Sequence, residues 1–178
     1  MKSKFNGFLR ATEREGVEDL ILHLEESGFY QAPCSSQHHL CVEGGLLEHS
    51  LNVFECASKM AITLGVSVST IVLPTLLHDI GKVGINGKAH YVDNILKTGK
   101  VSGPKPYKVN DELLGLQHQD LSLIIATNYI ELTEDEMVAI KYHNGLYTSD
   151  GRDIKGKETP AMLIVHAADM WCARVIEE

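Results

Sequence analysis

Nine histidines stand in a chain of 178 residues, where ordinary usage would give about four. The informative ones group with aspartates: His49, the adjacent pair His78-Asp79, His118, His143 and Asp169. Neutral imidazole and carboxylate are ligands of borderline divalent metals. These six come from five separate segments, so they form one site only if distant helices converge, as they do around carboxylate-bridged metal pairs in helical bundles. Six donors exceed the need of one catalytic metal and suit two metals sharing a carboxylate. Two such ions about 3.5–4 Å apart can clamp the attacking and leaving oxygens of an in-line displacement. His78-Asp79 is the sharpest local feature. Alone, it reads more simply as a hydrogen-bonded polar pair in a core; the other four donors reverse that reading. Adjacent side chains on a helix point about 100° apart, which lets His78 face one metal while Asp79 bridges to a second.

Other residues qualify this picture. Lys82 follows Asp79 by one turn and reads two ways, as a cation meeting a phosphate oxygen or as a routine partner of the helix dipole. His39 is expected at the mouth of a substrate pocket, and His38 is not. His166 shares a helix face with Asp169 and reads either as an outer partner of the site or as a packed core histidine. His23 and His90 read as surface residues, Met170 and Trp171 as core packing, and Glu48 as a solvated or outer carboxylate.

The elements that must position the six donors are helical. Val17, Leu20, Ile21 and Leu24 recur at helical spacing between Gly16 and Ser27. Gly44-Gly45 precedes a long helix from Leu46 to Leu64, closed by Gly65. The next helix is expected to carry Ile71 to Ile80 and to end at Gly81. From Lys82 to Asn110 glycines and prolines break any period, predicting a surface excursion in which Asn94–Thr98 pairs with Tyr107–Val109. Helix is expected again from Leu113 to Ile130, then from the Thr133-Glu-Asp-Glu136 capping box to about His143. Residues 144–158 read as a loop, and Thr159-Pro160 opens a last helix running to about Ile176.

Composition narrows the function classes. With 44% hydrophobic and 22% charged residues the chain is ordinary globular protein. Its longest apolar runs fall short of the ~18 residues of a membrane span, and no apolar stretch backs the N-terminus as in a signal peptide, so a cytoplasmic location is expected. Four cysteines without a Cys-x-x-Cys pair read as free thiols. A formal charge of −8 without a basic stripe excludes duplex DNA and anionic membranes as natural partners. Two divalent cations against two aspartates would nonetheless make a locally cationic hole. At an effective dielectric of ~20, a charge pair at ~4 Å is worth ~4 kcal/mol, enough to recruit a phosphate.

Four strings, Gly44-Gly-Leu-Leu-Glu-His-Ser50, Leu76-Leu-His-Asp-Ile-Gly-Lys82, Tyr142-His-Asn-Gly145 and Val165-His-Ala-Ala-Asp169, resemble the HD superfamily of metal-dependent phosphohydrolases in order, spacing and context. The resemblance implies an all-α, HD-domain helical bundle with a small irregular or hairpin excursion between about residues 83 and 112. It also implies a single domain over 1–178, with residues 1–35 as an N-terminal helix and link and 36–174 as the metal-binding core. The family's minimal ligand set maps onto His49, His78, Asp79 and Asp169, and its extended binuclear set adds His118 and His143. Asp79 and Lys82 then carry catalytic roles, and Lys82 and His39 bind substrate. Two divalent metals are implied, with Mn, Fe, Ni, Co, Zn and Mg all compatible.

Within the superfamily the paired His38-His39 and the glycine pair make the chain most similar to the HD domain of bacterial 3′-to-5′ exoribonucleases, without room for their nucleic-acid-binding barrel. Cyclic-di-GMP phosphodiesterases of the HD-GYP type fit less well, because no Gly-Tyr-Pro follows Gly145. The (p)ppGpp hydrolases carry an acidic pair where this chain reads Gly81-Lys-Val-Gly84. The resemblance implies hydrolysis of a phosphomonoester or phosphodiester by a metal-activated hydroxide, the substrate being a phosphorylated small molecule such as a nucleotide, or short single-stranded nucleic acid. An HD-fold di-iron oxygenase, similar to myo-inositol oxygenase, fits the same ligand set. A non-catalytic HD sensor module fits less well, because all six ligand positions are filled.

Overall fold

The computed structural model describes residues 1–177. Seven α-helices are found among the described residues: α1 (Lys2–Arg10), α2 (Val17–Glu26), α3 (Gly45–Leu64), α4 (Val72–Leu77), α5 (His118–Thr127), α6 (Glu134–Lys141) and α7 (Pro160–Trp171). A two-stranded sheet, β1 (Tyr91–Asp93) and β2 (Tyr107–Val109), lies between α4 and α5. The architecture is all-α, as expected. None of the helices is long and apolar enough to cross a membrane. All four cysteines are free thiols.

Helix α3 is the spine, packed by α4 and α7, and α6 fits against α4 and α7. One hydrophobic core runs from Phe5 to Cys172. Helix α4 has only six residues, too few to stand alone in water. It holds because Leu73, Leu76 and Leu77 are buried, each such side chain contributing about 1.5–3 kcal/mol relative to exposure. Pro74 lies in its first turn, where a missing N–H costs little.

The N-terminal residues form α1, a helix absent from the sequence-based expectation. Phe5 and Leu9 are fully buried on one face, Phe5 packs on Phe29 at 5.0 Å, and Tyr30 Oη donates to Asn6 Oδ1 at 2.7 Å. The Thr133 capping box forms as expected: Thr133 Oγ1 accepts from the Glu136 amide and Glu136 accepts from the Thr133 amide. The same Glu136 carboxylate pairs with Arg14 at 2.8 Å, tying the α1–α2 link to α6. Thr159 caps α7 and Pro160 opens it.

Three helix boundaries and one strand pairing differ from expectation. Helix α4 ends at Leu77 instead of Ile80: Asp79 sits at φ −111°, ψ 4°, and a 3₁₀ turn over Ile80–Val83 follows. Tyr107–Val109 pairs with Tyr91–Asp93, in register Tyr91↔Val109, and not with Asn94–Thr98. Pro104 and Pro106 offer no N–H to a ladder, and Asn94–Leu96 folds back on a tighter turn through the Leu96 and Lys100 carbonyls. Helix α5 starts at His118 instead of Leu113, because Gly115 at φ +94° breaks the backbone before it. Helix α7 gives way after Trp171 to a π-helical turn, Cys172–Ile176.

Candidate metal centre

Five of the six donors sit where a helix starts, ends or faces inward. His49 lies in the first turns of α3, His78 caps the end of α4, His118 opens α5, His143 follows α6 and Asp169 lies in the last turns of α7. Asp79 is the exception to the helical expectation. Because the chain leaves α4 at Leu77, its carboxylate projects from a non-helical residue into the middle of the group.

The structure brings all six together. Asp79 Oδ2 lies 3.6 Å from His49 Nε2 and 3.5 Å from His78 Nε2. Its other oxygen, Oδ1, lies 3.2 Å from His118 Nε2 and 3.6 Å from His143 Nε2. Asp169 Oδ1 completes the first side, 3.0 Å from His49 Nε2 and 4.0 Å from His78 Nε2. Within each side the ring nitrogens are 3.3 Å apart.

The histidine tautomers explain why such crowding points to a cation. His78 Nδ1 donates to the Thr75 carbonyl at 2.8 Å, and His143 Nδ1 donates to the Ile140 carbonyl at 2.8 Å. Both rings therefore turn Nε2 inward. Burial pushes His143 down to about 4, with His78 adding to the effect, and burial pushes His118 down to about 3, so both rings are neutral at pH 7. Burial opposes the charge on Asp79, but Lys82 and His78 outweigh it and hold the carboxyl well below its ordinary range. Burial likewise opposes the Asp169 charge, and His49 overcomes it. His49 itself is disfavoured as a cation by burial, yet Cys34, Asp169 and Glu177 hold it well above an ordinary histidine.

Asp79 Oδ1 is buried with no hydrogen-bond partner, a costly state for a carboxylate oxygen. Around a cation with ~2.0–2.2 Å bonds to nitrogen and oxygen, neighbouring donors sit about 3–3.5 Å apart. The separations within each side cover that range. Four inward-facing imidazoles, ionised carboxylates and an orphaned buried oxygen make a donor set that fits divalent metal ions. His49, His78 and Asp169 converge as one candidate group and His78, Asp79 and His143 as another.

A cavity of about 290 Å³ opens over the group, lined by Asp79, His118, His143 and Asp169. His49 and His78 are fully buried beneath it, whereas the side chains of His118 and Asp169 are about one-fifth exposed, at 21% and 17%. Lys82 lines the wall, its Nζ 2.6 Å from Asp79 Oδ2 and 3.7 Å from Cys34 Sγ. Burial opposes its charge, but Asp79 keeps the ammonium well above an ordinary lysine.

His39 lines the cavity, as expected, with its ring 5.1 Å from that of His49. So does His38. His166 donates from Nδ1 to the His143 carbonyl at 2.6 Å and packs so closely on Gly145 that a Cβ there would meet the ring at 2.6 Å. It thus holds the His143 backbone and is an outer partner of the site. Met170 and Trp171, expected in the core, are 40% and 51% exposed, and Met170 forms part of the cavity wall. His23 and His90, expected on the surface, are half-buried, the first against Tyr129 and the second against Tyr91.

Sequence reasoning missed three participants. Glu177 Oε2 accepts from His49 Nδ1 at 2.9 Å, and Asn52 Nδ2 donates to Glu177 Oε1 at 2.9 Å. Asn144 Nδ2 lies 2.9 Å from His143 Nε2 and 3.3 Å from His118 Nε2. The signal for Asn52 was spacing alone, three residues past His49 on the same helix face, and nothing in the sequence marked Glu177. Asn144 stands beside a donor in sequence, with nothing further to mark it.

Comparison with known families agrees with this geometry. Searches of the curated proteins and of the solved structures find no match. The family model described as HD domain matches residues 46–169, more than two-thirds of the chain and a span that takes in all six donors. Proteins of that family are for the most part metal-dependent phosphohydrolases that bind divalent ions through a His/Asp cluster. The chain belongs to the HD domain family.

Proposed function

We propose that this protein hydrolyses phosphate esters of a nucleotide or short oligonucleotide with two divalent cations. His49, His78 and Asp169 would hold one ion, His118 and His143 the other, and Asp79 would bridge them. The observation that carries this reading is the division of the Asp79 carboxylate, each oxygen facing a different histidine pair. When bound, the cations would supply Lewis acidity toward a phosphoryl oxygen and a water acidic enough to ionise near pH 7.

The chain's own residues do the rest. Lys82 stands at the cavity wall with a fixed positive charge beside Asp79, suited to an equatorial phosphoryl oxygen as charge develops there. His39, pushed by burial down to about 4, is neutral at pH 7 and can hydrogen-bond substrate oxygen at the rim. The buried floor formed by His49 and His78 excludes bulk water from the inner side. A recess of about 290 Å³ is of a size suited to one nucleotide or the end of a short single strand. The likeness to the HD domain of 3′-to-5′ exoribonucleases points the same way.

The test is turnover of p-nitrophenyl phosphate and bis-p-nitrophenyl phosphate by protein loaded with manganese, cobalt or nickel, followed by nucleoside mono- and diphosphates and short oligonucleotides. Metal-dependent phosphate or nucleotide release is expected. No hydrolysis with any metal, together with oxygen consumption by the iron-loaded protein, would assign it instead to the di-iron oxygenases.

A further inference from the structure

We infer that Glu177 is a positioning residue for His49, and that its carboxylate, anchored by Asn52, tunes the affinity of the first metal position. The inference rests on the reading of His49, His78, Asp79 and Asp169 as ligands.

The C-terminal turn makes the case. Between Cys172 and Ile176 the backbone is π-helical, closed by the Glu177 amide donating to the Cys172 carbonyl at 3.0 Å. Such widened turns are rare, and those that occur are frequently at functional sites. Most of this turn faces solvent: Val175 is 54% and Ile176 53% exposed. The Glu177 side chain is 1% exposed. Burying a carboxylate from an otherwise open turn is unfavourable unless specific donors compensate, and two do. His49 Nδ1 lies 2.9 Å from Oε2 and 3.2 Å from Oε1, and Asn52 Nδ2 reaches Oε1 at 2.9 Å.

His49 therefore has a carboxylate at both ring nitrogens, Glu177 at Nδ1 and Asp169 at Nε2. Donation from Nδ1 to Glu177 aims Nε2 at Asp169, Asp79 and His78, where a bound cation would take the place of any proton on that nitrogen. A carboxylate behind a ligating histidine fixes its tautomer and ring angle and raises its basicity, and loss of such a partner typically weakens metal affinity 10–100-fold. Asn52 and His49 share a face of α3 at i and i+3, so one helix presents both the ligand and the clamp on its supporting carboxylate.

The experiment measures manganese binding to the purified full chain by calorimetry for wild type, Glu177→Gln, Glu177→Ala and Asn52→Ala, with thermal unfolding in chelator as the control. Glu177→Gln preserves shape and removes charge. We expect about 10-fold weaker binding for Glu177→Gln and up to about 100-fold for Glu177→Ala, with Asn52→Ala weakened in the same direction. In the zinc-loaded protein, the ¹⁵N shifts of the His49 ring should move in Glu177→Ala. Activity toward bis-p-nitrophenyl phosphate should recover at high manganese with KM for the ester unchanged. Binding and ring shifts in both Glu177 variants equal to wild type would overturn the role of Glu177 and leave the metal site standing. A wild-type chain that binds no divalent ion would instead overturn the ligand assignment, and this inference with it.

Discussion

His118 Nε2 lies 3.2 Å from Asp79 Oδ1, on the opposite edge of the carboxylate from His49 and His78. One short side chain is thus shared by donors from helices that are far apart in sequence. The sharing depends on the early end of α4. Asp79 leaves the helix at φ −111° and ψ 4°, and from that backbone its two oxygens face two histidine pairs.

Removal of the shared carboxylate is therefore expected to act on both metal positions, whereas removal of a donor on one edge acts on one. Asp79→Ala should leave the protein without bound metal and without activity. His118→Ala should lower the metal content from about two toward one per chain. Elemental analysis of gently purified protein checks this, and an Asp79→Ala variant that kept its full metal complement would contradict it.

Stability in chelator should fall as the pH drops below about 6.5. His118 and His143 have folded values near 3 and 4, against about 6.5 in an unfolded chain. Between about pH 6.5 and 4 the unfolded state takes up protons that the folded state refuses, so acid favours unfolding. At about 1.4 kcal/mol per pKa unit the two rings together cost several kcal/mol by pH 4. His49 works in the opposite sense: its raised value contributes stability fully present below about 6.5 and lost as pH rises through its folded value. His143→Asn should flatten the acid limb of a plot of unfolding midpoint against pH, and an unchanged slope would remove His143 from the account.

The sequence carried the donors and the inward-facing helices well, because both leave local marks. Histidine-aspartate strings are chemically conspicuous, and α2, α3, α6 and α7 each announce themselves by apolar spacing or a cap. What escaped was set by tertiary contact. Helix α1 has Gly7 and two lysines and no cap, and it is held by Phe5 and Leu9 against distant residues. The break at Asp79 has no glycine or proline to mark it; the Ile80–Val83 turn is fixed by packing against α5. Glu177 and Asn52 are ordinary polar residues until the π-helical turn brings them together. Met170 and Trp171 looked like core because apolar type alone does not reveal that α7 runs past the edge of the bundle into the cavity wall.

The loop after His143 should depend on Lys141. Its ammonium pairs with Asp120 of α5 and lies 2.7 Å from Asp150 in the loop. Hydrogen bonds from Lys141 and Thr148 hold the Asp150 carboxyl down to about 2. That depressed value contributes stability present above about pH 3.9 and lost as the pH falls toward 2. The pair is partly exposed, so Asp150→Asn is expected to cost only about 1 kcal/mol. Limited proteolysis should locate the loosening within residues 144–158, with little shift in the urea midpoint. Faster cleavage in other segments would show that the bridge does not act locally.

The seam between the Ile80–Val83 turn and α5 should be the least tolerant place in the site. Ser122 Oγ donates to the His78 carbonyl at 2.7 Å and accepts from the Gly81 amide at 2.8 Å. Ser122→Ala would leave both backbone groups buried and unpaired, a cost of about 1–3 kcal/mol each, with His78 and Asp79 still in place. Gly81→Ala is a different lesion. A Cβ at Gly81 would stand 2.0 Å from the His118 carbonyl and 2.7 Å from the Ser122 amide, both backbone atoms, so α5 would have to move and take His118 with it. Ser122→Ala is therefore expected to lower the unfolding midpoint while retaining metal near the wild-type count. Gly81→Ala is expected to lose metal from the His118–His143 side first. A Gly81→Ala protein with wild-type metal content and midpoint would show that α5 is free to shift without disturbing the donors it carries.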